Sequence, residues 1–165
     1  MNMDTLFNIL VTLLSLAISY MGSGTAPSAQ PEPHASVVTA TVVRVIDGDT
    51  IMVTQNGQEE RVRYIGIDTP ELDGDECYAA EATNLNSSLV FGHEVTLERD
   101  VSDRDQYGRL LRYVFVGDEL VNEQLVRDGA AKVIKIQPDT ARFDELKAVE
   151  QTARSQKLGL WAACY

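Results

Sequence analysis

The sequence predicts an α+β domain, mainly β: a five-stranded Greek-key barrel with about three helices against it. Three observations point there. Five short runs rich in β-branched residues alternate apolar with polar positions. Turn-forming pairs such as Asp47-Gly48 and Asn56-Gly57 separate them. Segments with helical apolar spacing follow only the third and the fifth runs.

The first three strands are expected over 37–46, 51–54 and 61–67. Asn56-Gly57 joins the second to the third, because both residues tolerate the positive φ of a two-residue hairpin turn. Gly48 is expected to permit a sharp reversal that leaves Asp49 exposed at the barrel rim. Residues 78–90, with Ala79, Ala80, Ala82, Leu85 and Leu89, predict a helix that ends at Phe91-Gly92. Strands follow over 94–98 and 109–116, joined by the polar stretch 100–108. Asp100, Asp103 and Asp105 lack the glycine and terminal glutamate of an EF-hand and read as a solvated acidic loop. A short helix is expected over 118–128, with Leu120, Val121 and Leu125 inward and Gly129 as its stop. An amphipathic helix over 140–156 then leads to Leu158, Leu160 and the core anchor Trp161. The OB-fold is the best known barrel of this kind, and nucleic acids are common ligands of its strand face and loops.

Ahead of this body, residues 6–21 form an apolar run short for a membrane span and suited to a signal peptide. Residues 1–21 are thus a removed export signal, an uncleaved membrane anchor or a buried helix; 22–36, rich in Ser, Pro, Ala and Gly, read as a flexible linker, and 37–165 as the folded domain. A secreted or extracytoplasmic location follows, with membrane association through 6–21 where that segment is kept. Cys77 and Cys164 suit an oxidising compartment, either as a bridge or as two buried thiols.

The net charge of -11 falls to -9 once Asp4 and Glu32 are set aside, so the domain has no overall basic field for a polyanion. Four lysines against ten arginines leave an acidic surface that is either a solubility device or a salt adaptation. Any nucleic acid must be met locally. Arg63 and Arg109, arriving from separate strands, can grip a phosphate from two sides through their planar, permanently charged forks. Asp49 and Asp68, with the Thr69 carbonyl, offer oxygen-only ligands that match Ca²⁺ or Mg²⁺ rather than zinc. Glu71 follows Pro70, which disfavours helical continuation, and is free to act as general base on an attacking water.

The blocks Val45-Ile46-Asp47-Gly48-Asp49-Thr50, Arg63 through Glu71 and Tyr107-Gly108-Arg109 resemble the staphylococcal nuclease (thermonuclease) family. So do Leu120-Val121-Asn122-Glu123, Gly129-Ala130-Ala131-Lys132-Val133 and Lys157-Leu158-Gly159-Leu160-Trp161, in order and spacing, over roughly 38–161. Several motifs at compatible intervals are far more specific than one Asp-Gly-Asp-Thr. The resemblance implies a calcium-dependent endonuclease that hydrolyses phosphodiester bonds of DNA and RNA and leaves 3′-phosphate ends. It matches Asp49, Asp68 and Thr69 to the Ca²⁺ ligands, Arg63 and Arg109 to the phosphate-binding arginines, Glu71 to the proposed base and Tyr107 to a tyrosine near the nucleotide. Where the family often has two tyrosines beside the nucleotide, this chain has Lys135 and Gln137, and Lys135 is expected to contact phosphate instead. DNA and RNA are the expected partners of a monomer. The competing reading is a non-catalytic OB-type module that binds nucleic acid or a phosphorylated ligand.

Overall fold

The computed structural model describes residues 37–165. The readings of 1–21 as signal or anchor and of 22–36 as linker lie outside the described residues.

β1 (Val37–Val45), β2 (Thr50–Gln55) and β3 (Gln58–Tyr64) form a meander, with Asn56 at φ 51° and Gly57 at φ 78° in the predicted hairpin turn. The chain then leaves the sheet. Gly66, at φ 79°, turns it into a two-residue strand, β4 (Ile67–Asp68), so the expected strand over 61–67 is broken at its end. Helix α1 (Ala79–Val90) crosses before β5 (Glu94–Glu98) and β6 (Leu110–Val116) complete the barrel.

The sheet runs β3-β2-β1-β5-β6 with antiparallel neighbours, and a parallel pairing of β3 with β6 closes it. That seam sets Arg63 opposite Leu111 and Tyr64 opposite Arg112. Inward-facing Val42, Ile51, Val53, Val62, Val95, Leu97 and Val114 fill the interior, each at most 1% exposed. This is the five-stranded OB-type barrel that the strand pattern predicts.

Three helices of at least seven residues cover it: α1, α2 (Val121–Arg127) and α3 (Phe143–Ser155). α2 starts later than the expected 118, because Glu119–Leu120 pairs with β6 as a short strand, β7. A further two-residue strand, β8 (Lys132–Val133), pairs with β4 and places Lys132 directly across from Asp68. The fold closes with α4 (Leu160–Ala163), whose Leu160 N–H donates to Gly129 O at 2.9 Å.

Two buried asparagines carry the barrel's order to its rim. Asn122 accepts from Val114 N and donates to Ile65 O, both at 2.9 Å, tying α2 to the turn after β3. Asn86 accepts from Tyr64 Oη at 2.9 Å and donates to Asp47 O at 3.0 Å, tying α1 to the β1–β2 turn. Each buried amide is thus paired, as a dry interior requires.

Candidate active site

The β1–β2 turn folds on its own carboxylate: Asp47 Oδ1 accepts the Asp49 N–H at 3.0 Å. Gly48 is needed here for close approach, since a Cβ at this position would lie 2.6 Å from Thr69 Oγ1. The turn therefore packs directly on the β4 exit and drives Asp49 inward. Asp49 is only 1% exposed, which corrects the expectation of an exposed rim residue. Its Oδ2 accepts from Thr69 N at 2.8 Å and Thr69 Oγ1 at 3.0 Å, and its Oδ1 from Thr50 Oγ1 at 3.1 Å.

Arg63, at the end of β3, reaches across this cluster. Its Nη1 lies 3.0 Å from Asp49 Oδ1 and donates to Ile67 O at 2.9 Å, while its Nη2 donates to Asp68 Oδ1 at 2.8 Å. One guanidinium thus joins a buried carboxylate to one that is 49% exposed. Burial pushes the Asp49 carboxyl up to about 7; Arg63 pulls it down, Asp47 pushes it up again, and the Thr69 hydrogen bonds lower it.

Glu71 sits at the head of a 3₁₀ turn, Leu72–Gly74, with its N–H on Glu76 Oε2 at 3.1 Å. Its carboxyl is raised above its ordinary value, by burial first and then by the charges of Asp47, Asp68 and Glu76, against the pull of Arg63. A base with a raised pKa is closer to the working range of proton transfer.

The second arginine is held by a separate device. Asp105 Oδ1 accepts the N–H groups of Tyr107 at 2.9 Å and Arg109 at 3.0 Å, an Asx-type turn that presents both residues. Its other oxygen takes Arg109 Nε at 2.6 Å. Burial raises the Asp105 carboxyl, but the bonds from Arg109 and Tyr107 outweigh it and leave it below its ordinary value. The acidic stretch is largely exposed, as expected, yet its carboxylates are engaged: Asp103 pairs with Arg112 at 2.7 Å and Asp100 accepts the Ala141 N–H at 2.9 Å.

A cavity of about 500 Å³ gathers Arg63, Asp68, Tyr107 and Arg109, with Gly66 and Ile136 in its walls. Tyr107 is 75% exposed and lies under the Arg109 guanidinium, 5.4 Å from ring centroid to Cζ. Asp49 and Thr69 stand behind Arg63 rather than in the wall. Lys135 lies elsewhere: its Nζ sits 4.6 Å over the Phe143 ring, and Ile134, Ile136 and Gln137 line the cavity from that segment. Cys77 and Cys164 are bridged, fastening the segment after Glu71 to the chain's last turn. Glu76 escapes a reading by motif, and Asp47 and Asp105 read only as turn and loop residues, although the i, i+4 spacing from Asp105 to Arg109 is that of an Asx turn feeding a strand.

Among the described residues, no three His, Cys, Asp or Glu groups converge as a preformed metal cage. Asp49 and Asp68 both meet Arg63, one on each terminal nitrogen, and each offers carboxylate oxygens alone. This set fits a hard divalent cation completed by water.

The chain matches the model of the family "Staphylococcal nuclease homologue" over residues 61–163. It is 43% identical to the SPbeta prophage-derived endonuclease YokF of Bacillus subtilis over 132 residues, covering 76% of this chain and 45% of that protein. It is 41% identical to Endonuclease YncB of the same organism over 140 residues, covering 79% of this chain and 66% of that one. The chain therefore spans less than two thirds of either relative. Thermonuclease of Staphylococcus hyicus is 30% identical over 158 residues, with 93% of this chain and 94% of that protein covered. With the barrel, the paired arginines and these matches in hand, the chain belongs to the staphylococcal nuclease homologue family.

Proposed function

We propose that the chain is an exported, calcium-dependent endonuclease that hydrolyses phosphodiester bonds of DNA and RNA and leaves 3′-phosphate ends. The observation that carries this reading is the convergence of Arg63 and Arg109 on one cavity beside Asp68. Two guanidiniums can bind the non-bridging oxygens of one phosphate and neutralise the charge that grows on them at the transition state. Asp49, Asp68 and the Thr69 carbonyl would hold the cation, which would supply further positive charge beside the phosphoryl group. Glu71 accepts the proton of the attacking water as its oxygen bonds to phosphorus. The bond from phosphorus to the 5′ oxygen breaks, and that oxygen leaves with the electron pair and takes up a proton. Tyr107, exposed at the cavity mouth, offers a face for a base. The names of the relatives, endonuclease and thermonuclease, support the same reading.

Export rests on the apolar run 6–21 and on a disulfide suited to an oxidising compartment. Sequencing the N-terminus of protein recovered from medium and from membranes distinguishes a removed signal from a kept anchor.

The test is digestion of single- and double-stranded DNA and RNA with Ca²⁺, with Mg²⁺ and with chelator. Cutting with Ca²⁺, its loss with chelator, and 3′-phosphate ends are expected. Glu71→Gln should lose about 10²- to 10⁴-fold in kcat. Wild-type protein that binds nucleic acid yet cuts with neither cation would leave only the non-catalytic binding module.

A further inference from the structure

The segment that supplies Ile134 to the arginine cavity also supplies Lys132 to a second depression of about 390 Å³, lined by Lys132, Arg154, Lys157, Trp161 and Tyr165. This depression pairs basic side chains with stacked rings. Trp161 and Tyr165 lie 5.3 Å apart, centroid to centroid, at 29° between planes. Arg154 Cζ stands 4.0 Å over the indole, and Lys132 Nζ 5.3 Å over the Tyr165 ring. Tyr165 is 74% exposed. A narrower groove shares Lys132 and Tyr165 with the depression and reaches Pro70, the neighbour of Glu71.

Two features bear on these cations in a chain of net charge -11. Arg154 shares the buried Glu150 at 3.3 Å, but among the described residues neither Lys132 nor Lys157 has a carboxylate within 4.0 Å. Lys157 also carries φ 54°, a left-handed conformation just past the end of α3 where glycine is the usual residue. A lysine held there against its backbone preference points to use of its side chain.

We propose that this platform binds single-stranded nucleic acid outside the cleavage site. The strand lies across β8 from the arginine cavity, with backbone phosphates on Lys132 and Lys157 and an unpaired base against the exposed side chain of Tyr165. Basic side chains interleaved with aromatic rings are the general solution for a strand whose bases are free to stack. A duplex keeps its bases paired and brings denser charge to an acidic body, which favours the single strand. That the strand continues into the cavity rests on the nuclease reading; the platform's own chemistry does not.

The test uses the full chain with chelator present, so that no cutting intervenes. The probe is a fluorescein-labelled oligothymidylate of roughly 20 nucleotides, longer than the ~4 to 16 nucleotides that single-strand sites cover. Lys132→Gln with Lys157→Gln should weaken its binding about tenfold and reduce the slope of log affinity against log salt by about 1.4, or ~0.7 per phosphate contact. Tyr165→Ala should cost fivefold or more, whereas Lys132→Arg should retain affinity. Lys157→Gly relieves the positive φ, so it should bind more weakly while unfolding at an equal or higher temperature, which separates lost contact from lost fold. A mononucleotide, too short to reach from cavity to platform, should bind all variants alike. Unchanged affinity and salt slope in the lysine and tyrosine variants, or no binding of the oligonucleotide by wild type, overturns the platform. Binding that these variants weaken, by a wild-type protein that cuts with neither cation, overturns the nuclease reading alone.

Discussion

Asp105 Oδ2 holds the Nε of Arg109 at 2.6 Å while Asp105 Oδ1 holds the backbone N–H of the same residue. One carboxylate therefore fixes both ends of the arginine and leaves its two terminal nitrogens free to face the cavity. Asp105 touches no substrate in this arrangement; it positions a residue that does. Asp105→Ala should lower kcat/KM about 10- to 100-fold, and Arg109→Ala about 10²- to 10³-fold. Because the first acts through the second, the double variant should be little worse than Arg109→Ala. A double-mutant cycle on kcat/KM measures this coupling, and additive losses would remove the positioning role.

Gly48→Ala should disturb the site without touching a charged group. The new methyl would meet Thr69 Oγ1, Cβ and Cγ2 at 2.6 to 2.8 Å, and Thr69 holds Asp49 through both its N–H and its hydroxyl. A loss of about 1 to 3 kcal/mol in urea unfolding is expected. The Ca²⁺ concentration for half-maximal activity should rise in parallel; an unaltered Ca²⁺ titration would separate the Thr69 contact from cation binding.

Glu150 supplies a pH-dependent strut. Its side chain is 1% exposed and accepts the Val133 N–H at 2.9 Å, with Lys147 and Arg154 as ion-pair partners. Burial raises its pKa, yet the Lys147 and Val133 hydrogen bonds outweigh burial and hold it below its ordinary 4.5. A pKa lower in the folded than in the unfolded chain adds stability above the unfolded value, and that stability is lost as pH falls through the folded one. The difference in urea midpoint between wild type and Glu150→Gln should therefore be greatest near neutral pH and shrink below about pH 4. A difference that stays constant with pH would exclude this linkage.

The disulfide spans 87 residues. In the chain-entropy account, opening a loop of that size costs about 4 kcal/mol, so Cys77→Ser with Cys164→Ser should unfold at markedly lower urea. Equal midpoints for this variant and oxidised wild type would refute that contribution.

Much of the molecule is legible in its residues, and the exceptions share a cause. The Asn56-Gly57 turn, the α1 and α3 helices and the strand cores follow from local pattern, and the structure has them. Glu119–Leu120 reads as the start of a helix because its neighbours are helical, but hydrogen bonding to β6 outweighs that preference. Arg63 and Arg109 stand out as charges at strand ends, whereas the burial of Asp49 depends on how closely Gly48 packs against Thr69, a contact 21 residues away along the chain. Lys135 reads as a phosphate contact by position alone; its outcome depends on Phe143, the first residue of the helix that follows. Asp105 reads only as part of an acidic loop, because its role lies in hydrogen-bond geometry rather than in composition.

The parallel seam between β3 and β6 has a consequence for when the molecule becomes competent. The pairing sets Val62, Arg63 and Tyr64 against Leu110, Leu111 and Arg112 and so brings the two guanidiniums to one cavity. A newly made chain whose helices and first hairpin have already formed still holds its phosphate grip in two halves. Competence is thus tied to the β3–β6 seam, and a chain in which that pairing has not formed lacks the two-armed grip.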